Sequence, residues 1–182
     1  RTGEHQTWSE SGRPMDPAER AAARAWAEQQ RQQREREQRA AWAKNAADIA
    51  LQWSRARPLV PSDPVTIYLK NRLGIALWPL PAALRYVPAL PYFGEDGKEI
   101  GRFPAMVATI TSPAGELLAL HRTYLTRDGR KAAVPGPVKK LSRACGPLAG
   151  AGIALWSAPD ARGVIGIAAR ASDGSPAVEL RL

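Results

Sequence analysis

From Ala18 to Arg55 the chain contains neither glycine nor proline, and alanine, glutamine, glutamate and arginine dominate the stretch. Such residues favour the helix at nearly every position. Asp16-Pro17-Ala18-Glu19 adds a start signal, with an acid at the N-cap, proline at the first helical position and glutamate at the third. A long helix over residues 16–57 is therefore expected. Its two halves differ. Residues 18–40 are polar almost all round, and Glu28, Glu35 and Glu37 alternate with arginines. Mixed signs suit a solvent-exposed spacer, with a helix lying along a nucleic-acid backbone as the alternative. Trp42, Ala46, Ile49, Ala50 and Trp53 then fall at offsets 0, 4, 7, 8 and 11, one apolar stripe that must dock on something.

Residues 1–15 are polar and turn-rich, and read as a flexible lead. Pro58, Pro61 and Pro64 close the long helix, and Asp63-Pro64 opens a short one with Asp63 as N-cap. That helix runs to Gly74, with Val65, Tyr68, Leu69 and Leu73 on one face and Lys70 and Arg72 outside. Beyond it the pattern has period two. Strands are expected at Leu84–Val87, 104–111 and 116–125, with a hairpin turn at Ser112–Gly115 and another turn at Arg127–Arg130. A Gly/Pro-rich basic loop follows, then further strands at 153–156 and 164–168. The expected fold is α+β: a long N-terminal helix, a short helix and a small antiparallel or mixed sheet with a basic loop. In domain terms this is one α+β body over 58–160 and a tail over 161–182.

A chain of 182 residues allows about one domain with appendages. No apolar run approaches the roughly 18 residues needed to cross a bilayer. A single cysteine, Cys145, forms neither an internal disulfide nor a multi-thiolate zinc site, and suits a reducing cytoplasm. The chain opens at Arg1 rather than methionine, so a trimmed or partial chain is expected.

Lysine and arginine number 26 against 17 acids, a formal charge of +9, which predicts attraction to a polyanion. The charge is concentrated. Between His121 and Cys145, Arg122, Arg127, Arg130, Lys131, Lys139, Lys140 and Arg143 face Asp128 alone, which places +6 of the +9 in one window. A phosphate-tracking surface gains free energy from counterion release; the alternative is a solvated basic loop. Tyr86, Tyr92, Phe93 and Tyr124 would offer faces to unpaired bases or else form core. His121 and Cys145 lack the partners that a metal site or a nucleophile requires. Glu95, Asp96 and Glu99 read as a polar hairpin tip, and no Asp-x-Asp pair occurs.

The order of elements resembles the template-binding segment that precedes the Toprim domain in bacterial-type DNA primases and in the primase-helicases of phages and conjugative elements. The matching stretches are YLKNRLGI (68–75), LRYVP (84–88), GRFPAMVATITSPAGELLALHRTYL (101–125), VKKLSRACGPLAGAGIALW (138–156) and GVIGIA (163–168). The resemblance implies a basic groove that guides single-stranded template. Arg102, Arg122, Lys139 and Lys140 would be its phosphate contacts, with Arg127, Arg130, Lys131 and Arg143 from the charge count.

In that family a glutamate follows the first Toprim strand, where Ala169 stands here, and the later Asp-x-Asp is missing. The tail therefore reads as a truncated Toprim start, with no catalytic or metal-binding residue. Magnesium is expected only where a complete Toprim site is supplied elsewhere. The expected function is binding of single-stranded DNA or RNA in a replication protein of a mobile element, with a replicative helicase as a further partner. The rivals are a Toprim-type primase or nuclease completed by association, and a protein-interaction module in which the basic patch is incidental.

Overall fold

The computed structural model describes residues 16–155. The lead, the tail with Ala169, and Trp156 lie outside them. Helix α1 spans Pro17–Arg55 and α2 spans Pro64–Leu73. Strands β1 (Arg57–Pro58), β2 (Leu84–Phe93), β3 (Glu99–Thr111), β4 (Leu117–Tyr124) and β5 (Lys139–Leu141) form one sheet in the order β1-β2-β3-β4-β5, antiparallel throughout. The α+β expectation holds, and the sheet is a meander in which each strand pairs with its neighbours in sequence.

The chain divides into two compact units, Arg1–Ala41 and Trp42–Leu182. In the first, α1 opens with a reciprocal cap: the Glu19 amide donates to Asp16 Oδ1 at 2.7 Å and the Asp16 amide to Glu19 Oε2 at 3.0 Å. Its surface carries pairs one turn apart, Arg31 with Glu28 at 2.6 Å and Gln33 with Glu37 at 2.7 Å. Such exposed pairs stabilise a helix by a few tenths of a kcal/mol each.

In the second unit the last turns of α1 lie on one face of the sheet and α2 on the other. Ile49 and Trp53 pack with Leu90, Tyr92, Ala105, Val107, Leu120 and Tyr124. On the opposite face Val65, Tyr68 and Leu69 pack with Leu84, Tyr86, Ala108 and Leu125. Strand alternation explains the division: Ala105 and Val107 point one way, Met106 and Ala108 the other. The docking stripe of α1 differs from the expected one. Ala46 and Ala50 are exposed, whereas Asn45 Nδ2 donates to the Ala144 carbonyl at 2.8 Å. Polar anchoring has turned the helix away from its small residues.

Asp63 also departs from expectation. It occupies the N-cap position of α2 without a side-chain cap bond. Its buried carboxylate instead accepts from the Val60 amide at 2.9 Å and from Arg57 Nη2 at 3.1 Å. Gly74 ends α2 as expected, with φ 74° and its amide donating to the Lys70 carbonyl at 2.9 Å. Strand β2 runs six residues beyond Val87. Strand β5 arises within the basic stretch expected to be a loop. Residues 153–155, the described part of the strand expected at 153–156, belong to no named strand, and an isolated bridge pairs Gly152, just before them, with Thr111.

The turn after β4 rests on the start of α2. Gly129 has φ 73°, and a Cβ there would lie 2.6 Å from Ile67 Cγ2 and 3.0 Å from the Pro64 carbonyl oxygen. Gly129→Ala should therefore lower stability by about 2 kcal/mol, from backbone strain and overpacking together, as read by urea unfolding. Removing residues 1–40 should leave one cooperative thermal transition, since the docking face begins at Trp42; a chain that no longer melts cooperatively would place the early turns in the fold's support.

Candidate nucleic-acid interface

The sheet separates charges that are neighbours in sequence. In the β4–β5 register Thr123 lies opposite Lys139, Arg122 opposite Lys140 and His121 opposite Leu141. Successive strand residues face opposite ways. His121, Thr123 and Lys139 therefore share the face that carries α2, and Arg122 and Lys140 the face that carries α1.

On the α2 face three cations from separate segments gather. Burial, then the charges of Arg72 and Lys131, hold the Lys139 ammonium below the usual lysine pKa. Lys131 reaches this place because it bridges to Leu125, beside the end of β4. None of the three is ion-paired among the described residues. Arg127 is exposed on the adjoining turn, where Arg130 pairs with Asp128 at 3.1 Å.

The other expected contacts lie elsewhere. Lys140 Nζ donates to the Phe93 carbonyl and sits 4.0 Å from the centroid of the Tyr92 ring, so its charge serves the fold. Arg122 Nη2 donates to the Leu141 carbonyl at 3.2 Å. Arg122 and Arg143 line a cavity of about 160 Å³ under α1 with Asn45, Asp48, Gln52 and Ser142. Arg122 Nε and Gln52 Oε1 are buried there without a protein hydrogen-bond partner. Arg102 is held to Glu99 at 2.9 Å near the β2–β3 hairpin.

Three of the four aromatics considered as base platforms are core. Tyr92 and Tyr124 are 1% exposed, their ring centroids 5.0 Å apart edge to face, and Tyr86 is buried against α2. The Tyr124 hydroxyl donates to the Pro91 carbonyl at 2.8 Å, and burial pushes its pKa up. The fourth, Phe93, is 45% exposed, and the most exposed ring among the described residues is Trp78, with 81% of its surface open. Its signal in the sequence was its setting, a tryptophan between Gly74 and Pro79 after the helix had ended. Arg72 was legible as a free charge of α2, but not as a neighbour of Lys139.

His121 is uncharged at neutral pH. Burial, with Lys139 and Arg122 nearby, pushes its pKa down from 6.5 to about 4. The unfolded chain takes up this proton at about 6.5 and the folded chain only near 4, so stability falls as pH drops between those values. The loss is about 3 kcal/mol, complete near pH 4. Replacing His121 with Gln should remove that share of the acid sensitivity, compared by urea unfolding at neutral pH and at the lower end of the window.

Among the described residues no group of three or more His, Cys, Asp or Glu side chains is placed to hold a metal ion, and no helix is long and apolar enough to cross a membrane. A family described as a domain of unknown function (DUF7146) matches residues 43–155, more than half of the chain. No curated protein and no solved structure matches.

Proposed function

We propose that this chain, which belongs to the DUF7146 family, binds single-stranded nucleic acid through its backbone phosphates, on the surface formed by Arg72, Lys131 and Lys139. The observation that carries this reading is the convergence of the three cations. Like charges brought together without carboxylates repel one another, at a cost to the fold that a bound polyanion offsets. Arg127, on the neighbouring turn, extends the track. Contacts of this kind fix position and register and carry no base information.

The resemblance to the primase template-binding segment supplies the biological sense: the surface would guide a template strand in a replication protein of a mobile element. A replicative helicase is the partner that such a role suggests. Polymerisation chemistry would need metal-holding carboxylates from neighbouring strand ends, which this surface does not contain; they would come from another part of the assembly.

Affinity for an oligothymidylate measured against salt tests the proposal. Each phosphate neutralised on a single strand adds about 0.7 to the slope of log affinity against log salt. Lys139→Glu and Arg72→Glu should each weaken binding alike for all base compositions and flatten that slope. Arg102→Glu, on the distant hairpin, should change it little. Equal effects at all three positions, or none at Lys139, would remove this surface as the interface.

A further inference from the structure

Beside α2 lies a groove of about 420 Å³ that none of the three clustered cations lines. Lys70 of α2 lines this groove and Arg72 does not. The walls come from Ile67 and Leu69 of α2 and from Leu77, Trp78 and Leu80 of the segment that follows. The volume falls in the roughly 300–1,000 Å³ range of pockets that enclose a ligand group.

The lining dictates the chemistry of the occupant. Most of it is apolar, and of the polar groups Thr66 is engaged within the turn, its hydroxyl donating to the Asp63 carbonyl at 2.8 Å. Lys70 is the charged residue of the lining. Lys70 makes no ion pair among the described residues, and Asp63, the acid nearest to it in sequence, is held by Arg57. Apolar surface continues outside the groove, with Trp78, Ile75 and Val60 more than half exposed. Exposed apolar area of this kind with a polar rim marks interaction sites. A recessed apolar pocket suits an inserted side chain better than a nucleobase, which stacks on an open ring face and brings its own phosphates.

We infer that this groove docks a short segment of a partner protein, with a bulky apolar side chain seated between α2 and Trp78 and an adjoining carboxylate on Lys70. Trp78 is the anchor of the site and Lys70 selects for acidic flanks. The site is distinct from the phosphate-binding surface in its residues, since none of Arg72, Lys131 and Lys139 lines it.

The test uses a fluorescein-labelled synthetic peptide carrying a phenylalanine and a leucine flanked by aspartates. One control has lysine for every aspartate, and a second has alanine for both apolar residues. Anisotropy should show binding of the first peptide alone, and amide resonances of Leu77 and Trp78 should shift with it. Trp78→Ala should weaken binding at least about tenfold, as truncation of an interface aromatic does. Lys70→Glu should abolish the preference for aspartate over lysine. Both variants alter exposed or rim positions, and near-native thermal melts would show them folded. Oligothymidylate binding should be unchanged in Trp78→Ala and weakened in Lys139→Glu, so failure of one reading leaves the other standing. Equal binding of the aspartate and lysine peptides, or no binding, would overturn the inference. Loss of oligothymidylate binding in Trp78→Ala would assign the ring to base stacking instead.

Discussion

Arg85 joins the two halves of the folded unit. Its guanidinium lies 4.2 Å from the centroid of the Trp53 ring, and its Nη1 donates to the carbonyls of Trp53 at 3.0 Å and Ala56 at 3.3 Å. A cation at the C-terminal end of a helix meets unsatisfied carbonyls and the negative end of the macrodipole together. Because Arg85 belongs to β2, the same contacts set where α1 ends and where it crosses the sheet. The burial of Ile49, the bond from Asn45 to Ala144 and the cavity beside Arg122 belong to the same docked segment of α1. A second arginine completes the junction: Arg57 lies 4.7 Å from the Tyr86 ring centroid and pairs with the buried Asp63 carboxylate.

The sheet then sorts the charges. A window of basic residues looks like one patch along the chain, but a strand sends alternate side chains to opposite sides. Lys139 joins Arg72 and Lys131 on one face, while Lys140 folds over Tyr92 on the other. The two lysines, identical and adjacent, thus have different physical roles. One is crowded by like charge. The other has exchanged water for a carbonyl and an aromatic ring.

Much of the fold was legible in local pattern. The capping box at Asp16 and Glu19, the proline-opened α2 with its Gly74 stop and the β3–β4 hairpin are local signals, and the structure repeats them. What depended on tertiary contact was less visible. β1 has two residues and β5 three, too short for any periodicity, and both exist only because a longer strand pairs with them. The docking face of α1 includes Asn45 and Gln52, which polarity alone would turn outward. Of the candidate interface the sequence carried the charge but not its partition, and Trp78 stood outside the strand pattern that directed attention to tyrosines.

The meander order has a consequence for how the chain acquires its structure. Strands that pair with their sequence neighbours close short loops, which favours rapid formation of β2–β4. The exception is α1. Ile49 and Trp53 leave the ribosome well before Leu120 and Ser142, whose segments complete the surface beneath them. During synthesis, therefore, two large apolar side chains wait uncovered on a helix whose earlier turns are rich in charge. The charge on those turns favours hydration of such a segment.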